Sequence, residues 1–128
     1  MNDLVQLPKA SVEKVDQDVL LTFFKPNTKI LERDAAEIDG AHLSISQGGD
    51  MFVMVDMTAG GARMHPSAED YFEIKGKMVP YIKAVAVVKE PKKSILFKLF
   101  KRPNRLIFPK KEFSSREAAQ AWFDSLRN

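Results

Sequence analysis

The sequence predicts an α/β domain with a mostly parallel five-stranded sheet and about four helices, in the order ββαβαβαβα. Three observations lead there. Met51 to Met57 (MFVMVDM) is a nearly continuous apolar run, as expected of a strand covered on both faces by helices. Short β-branched and apolar runs alternate with longer stretches whose apolar residues recur every three or four positions. Helical stretches of roughly ten residues or more between strands imply parallel pairing with right-handed crossovers.

Taken in order, Ser11 to Gln17 alternates weakly and Val19 to Phe24 (VLLTFF) is an apolar, β-branched and aromatic run too short for a helix. These read as a hairpin turning near Asp16 to Asp18. Lys25-Pro26-Asn27 breaks the second strand, and Thr28 is placed to cap a helix running to about Ser46 and stopping at Gly48-Gly49. On that helix Ile30, Leu31, Ala35, Ile38, His42 and Ile45 form a one-sided stripe suited to packing on a sheet. Gly40 weakens it by up to ~1 kcal/mol relative to Ala.

Pro66 suits a first helical position, so a second helix is expected over Pro66 to Val79, with Tyr71, Phe72 and Ile74 on or near its buried side. Tyr81 to Lys89 is the fourth strand. Pro91 opens a third helix ending near Arg102, Pro103 stops it, and Pro109 bounds a short edge strand over Arg105 to Phe108. Ser114 and Glu117 make a capping box for the last helix, which carries Ala118, Ala119, Trp122, Phe123 and Leu126 on one face.

The 128 residues are near the common size of one domain, and a chain of this length buries roughly two-thirds of its unfolded surface. No repeat, linker or low-complexity tract divides it, so residues 1–128 read as one domain with residues 1–10 as an N-terminal extension. Cysteine is absent, which excludes a disulfide framework, a thiolate nucleophile and a Cys-based zinc site. The start MNDLVQLPK lacks the basic and apolar regions of a signal peptide, and no apolar run approaches the ~20 residues of a membrane span. A cytoplasmic location is the expectation.

The net charge of +3 conceals an asymmetry. Residues 1–74 hold 6 basic and 13 acidic side chains, whereas residues 75–128 hold 14 basic and 4 acidic. The densest basic stretch, Lys89 to Lys111, sets nine Lys or Arg against the single Glu90. One side of the molecule should therefore be basic.

The element order, with FVMVDMTAG on the third strand, resembles the STAS fold of the SpoIIAA-like type. The segments FKPNT, DYFEIKGKMVPYIKAVAVVKEP and LFKLFKRPNRLIFPKKEFSSREAAQAWF further resemble a STAS-like bacterial family of unknown function, related in fold to CRAL-TRIO lipid carriers. The similarity covers about residues 12 to 126, and its motifs are structural rather than chemical. The resemblance places Asp56 where STAS domains have the aspartate closing the third strand. It places Ser67 close to the serine that sigma-regulating members present for phosphorylation, which makes Ser67 a candidate phosphoacceptor. Those members read Asp-Ser-Ser-Gly where this chain reads His65-Pro66-Ser67-Ala68.

No catalytic, cofactor-binding or metal-ligating constellation emerges from the residues themselves. His42 and His65 lack a ligand partner at metal-binding spacing; His42 reads as a packed histidine on an apolar stripe and His65 as a helix cap. Gly60-Gly61 has neither a dinucleotide fingerprint nor a Walker lysine, so it reads as a turn needing positive φ. Asp50 and Asp56 read as turn residues. A Ser67/His65 pair would still need an orienting acid and an oxyanion hole.

The basic stretch is the most informative feature. On the expected helix, Ile95, Leu96, Phe97, Leu99 and Phe100 cover a wide arc opposite Lys98, Lys101 and Arg102, with Arg105, Lys110 and Lys111 adding charge. Either the basic face is only solvated, or Lys98, Lys101, Arg102, Arg105, Lys110 and Lys111 meet an acidic partner or an anionic membrane. Nucleic acid is not expected, because no recognition motif is present and the other half is acidic. The function read from the sequence is a non-enzymatic regulatory or binding module without a cofactor. Its partner is a protein or a small apolar or anionic ligand; the alternatives are a lipid-binding domain using the third helix and an uncharacterised enzyme.

Overall fold

The computed structural model describes residues 4–90 and 107–127. The main sheet has six strands side by side: β1 (Leu4–Gln6), β2 (Ala10–Asp16), β3 (Val19–Phe24), β5 (Met51–Asp56), β7 (Ile82–Val88) and β8 (Lys110–Phe113). Two shorter strands, β4 (Lys29–Ile30) and β6 (Arg63–Met64), pair with each other in parallel. In the main sheet β1, β2 and β3 run antiparallel, and β3, β5, β7 and β8 run parallel. The sheet is therefore mixed, a correction to the mostly parallel five-stranded expectation. Leu4–Gln6, within the expected N-terminal extension, supplies the added strand by pairing Val5 opposite Val12.

Three α-helices are described: α1 (Glu32–Ser46), α2 (Pro66–Asp70) and α3 (Arg116–Leu126). The expected third helix, Pro91 to Arg102, lies outside the described residues. α1 starts later than Thr28 because the intervening backbone is used in pairing: Arg63 N donates to Thr28 O and His65 N to Ile30 O. Thr28 instead donates its hydroxyl to Lys25 O, and Asp34 accepts the amide of Leu31 at 2.8 Å, satisfying a free donor at the helix start. The helix closes where expected, with Gln47 and Gly48 at φ of 54° and 80°.

The second helix is shorter than Pro66 to Val79. After Asp70 the chain widens into a π-helical turn over Tyr71–Lys75, closed by Gly76 N donating to Tyr71 O at 2.7 Å. The extra residue in that turn rotates Ile74 off the packing face, and it is 67% exposed rather than buried. The last described strand is Lys110–Phe113, just after Pro109, at the sheet edge; of the expected strand Arg105 to Phe108, Arg105 and Leu106 lie outside the described residues and Ile107 and Phe108 form a bend. Proline cannot donate to a ladder, so pairing resumes just past it. The cap of α3 is Ser115, whose Oγ accepts from Ala118 N at 3.1 Å, one residue beyond the Ser114 of the expected capping box.

The sheet separates two apolar layers. Ala35, Ile38, Ala41 and Ile45 of α1 pack with Leu20, Phe24 and Met51 on one face. Ala119 and Phe123 of α3 pack with Val19, Leu21, Phe52 and Met54 on the other. Ala84 and Ala86 of β7 are fully buried beneath α3, and their small size lets Phe123 stack on Phe52 at 4.7 Å between ring centroids.

Candidate functional site

The layer beneath α1 and α2 is incompletely filled. Valines at Val53, Val55, Val85 and Val87 reach only a short way from the sheet, and the π-helical turn facing them presents Phe72 while swinging Ile74 outward. Between them lies a cavity of ≈ 220 Å³. Phe24 and Met78 close it toward α1, and Phe108 lines it on the side of β8. Its walls are mainly apolar, with a few polar groups at defined points, the usual make-up of a small-molecule site.

Among the described lining residues, Thr22 Oγ1 and His42 Nε2 form a buried polar contact at 2.7 Å. Thr22 is 1% exposed and His42 4%. Burial lowers the His42 pKa from its ordinary value to about 4, so the ring is neutral at physiological pH. In either tautomer the threonine hydroxyl keeps a spare hydrogen-bonding valence, as donor or as acceptor. Asp39, one turn before His42, accepts from the backbone amides of Lys77 and Met78 at 2.9 and 3.1 Å. That bond fixes the segment after the π-helical turn, and Gly76 permits the close approach: a Cβ there would lie 2.6 Å from Asp39 Oδ1.

Two ion pairs border the cavity near β8. Lys110 Nζ lies 2.6 Å from Glu73 Oε2, joining the edge strand to the π-helical turn, and Lys89 Nζ lies 3.2 Å from Glu112 Oε2. Lys110 is thus turned into a pair whose side chains are 20% and 9% exposed, whereas Lys111 is exposed and sits over the rings of Phe113 and Trp122. The other residues of the expected basic surface, Lys98, Lys101, Arg102 and Arg105, lie outside the described residues. Among the described residues no helix is long and apolar enough to cross a membrane.

The remaining sequence-derived candidates lie elsewhere. His65 caps α2: its Nδ1 accepts from Ser67 N at 3.1 Å and lies 2.8 Å from Ser67 Oγ. Ser67 is half-buried there, and among the described residues no carboxylate hydrogen-bonds His65. Gly60 and Gly61 adopt φ of 92° and 75°, the positive values expected of the turn. Asp56 is more than a turn residue. It is 2% exposed at the end of β5 and accepts from Thr58 N, Thr58 Oγ1 and Arg116 Nε at 2.8, 2.6 and 2.7 Å. Burial raises its pKa, but those hydrogen bonds outweigh it and leave the carboxyl below the ordinary range.

The sequence reading missed the cavity and the roles of Thr22 and Asp39. A signal for each was present: a hydroxyl inside the apolar run VLLTFF, and a carboxylate on the same helix stripe as Ala35, Ile38 and His42.

Residues 14–127 match the family model described as Domain of unknown function (DUF7793). Among curated proteins none matches the chain. Among solved structures, the chain is similar to an uncharacterised protein of the DUF3478 family with a SpoIIAA-like fold from Shewanella loihica PV-4. Identity is 14%, the TM-score is 0.57, and the match covers 95% of this chain and 94% of the other. That likeness shows a SpoIIAA-like fold, in line with the resemblance read from the sequence.

Proposed function

We propose that this chain, which belongs to the DUF7793 family, is a non-enzymatic binding module that takes a small apolar ligand into the cavity between the sheet and α1 and α2. The observation that carries the reading is the cavity itself: ≈ 220 Å³ walled by Val53, Val55, Phe72, Val85 and Val87, with the neutral Thr22–His42 pair in its lining. An apolar cavity of this kind gains from any solute that replaces missing contacts, because its lining lacks partner atoms on one side. Among the described residues, the polar groups around it are engaged in structural hydrogen bonds and ion pairs, which suits binding better than bond-making chemistry. The SpoIIAA-like fold is compatible with a module of this type.

Toluene, which has no polar group, tests the cavity alone. Titration of the full chain with toluene should raise the melting temperature and give saturable binding by calorimetry. Val87→Phe should abolish that binding while changing stability by less than about 1 kcal/mol, since the added ring enters existing space instead of overpacking a filled core. Binding of toluene that survives in Val87→Phe, or no binding in the parent, would contradict the reading.

A further inference from the structure

We infer that the cavity selects an uncharged ligand, a small ring or short branched chain with one hydroxyl or N–H group held at the Thr22–His42 pair. The inference rests on the cavity being a ligand site. Its size limits the occupant: a cavity of about 150 Å³ accommodates benzene, so the ≈ 220 Å³ here suits on the order of ten heavy atoms.

Both lysines among the described lining residues are already paired. Lys110 is paired with Glu73 at 2.6 Å and Lys89 with Glu112 at 3.2 Å. Drawing the Lys110 ammonium onto a ligand carboxylate would take it from Glu73, whose side chain is 9% exposed, and a buried charge that loses its partner is costly. Asp39 has its two oxygens on the amides of Lys77 and Met78, and Glu69 is likewise engaged, so a ligand cation at either would compete with contacts already in place. His42, 4% exposed, is neutral near pH 7 and brings no charge. Among the described lining residues, what remains is the Thr22 hydroxyl, which beyond its contact with His42 can accept from a ligand donor whichever tautomer the ring adopts.

Three probes of similar shape separate the possibilities: para-ethylphenol (neutral), para-toluate (anion) and para-methylbenzylammonium (cation), each titrated calorimetrically into the full chain near neutral pH. The phenol should bind at least about tenfold more tightly than either ion, since an ion entering the cavity loses hydration with no unengaged counter-charge among the described lining residues. Thr22→Val keeps the shape and removes the hydroxyl. It should weaken the phenol severalfold and leave toluene unchanged. Equal or tighter binding of either ion, or an unchanged phenol affinity in folded Thr22→Val, overturns this inference while leaving the cavity reading in place. Failure of toluene and the phenol alike overturns both. If Thr22→Val does not fold, the three-probe comparison on the parent chain decides alone.

Discussion

Replacing Asp39 with Ala is expected to lower the free energy of unfolding by about 2–4 kcal/mol, read from urea denaturation. The carboxylate is 4% exposed and receives two backbone amides, those of Lys77 and Met78, across nearly forty residues of sequence. Removing it leaves both donors without a partner, and each orphaned buried donor costs roughly 1–3 kcal/mol. Asp39→Asn retains one acceptor oxygen and should lose about half as much. Because Gly76 provides the approach that the bond needs, Gly76→Ala and Asp39→Ala should be non-additive, the double variant being closer to the worse single than to their sum. A loss below about 1 kcal/mol for Asp39→Ala would show that the segment after the π-helical turn is held by packing instead.

The second large effect is a pH dependence set by His42. Its unfolded pKa is near 6.5, and burial lowers the folded value to about 4. The unfolded chain therefore binds a proton that the fold refuses, and stability falls as pH falls from about 6.5 toward 4; above that window the contribution is fully present. The size follows from about 1.4 kcal/mol per pKa unit, giving roughly 3 kcal/mol. Asp18, Asp34 and Asp56 also have lowered values, but their contributions are lost only as pH falls below the ordinary carboxylate range. His42→Gln can keep a hydrogen bond to Thr22 without titrating. Its denaturation midpoint should be nearly flat between pH 6.5 and 4.5 where the parent's declines; parallel curves for the two would mean that His42 is solvated in the folded chain.

Much of the fold was legible because apolar run length and punctuation report on local structure directly. VLLTFF forms β3, MFVMVDM supplies β5 up to Asp56, and Gly48-Gly49 marks the end of α1. The errors share a cause, namely that tertiary pairing overrode a local signal. Thr28 has the chemistry of a cap, but its carbonyl and that of Ile30 are taken by the amides of Arg63 and His65, so the helix starts after Leu31. Leu4–Gln6 looked like an extension because three residues carry no periodicity; only the neighbouring β2 makes them a strand. The π-helical turn has no propensity signature, since it reflects one residue too many between Pro66 and the Asp39 bond to Lys77 and Met78. The cavity was illegible for a related reason. Each valine on β5 and β7 reads as core, and an unfilled volume appears only once the opposing turn is seen to lack Ile74.

The most direct test of the binding reading is a methyl NMR titration of the full chain with toluene. Methyl signals of Val53, Val85 and Val87 and of Met78, which line the cavity, should shift saturably, while Val19, Leu21 and Val88 beneath α3 should stay in place. Shifts confined to the layer under α3, or no saturable shift at any cavity valine, would contradict the account.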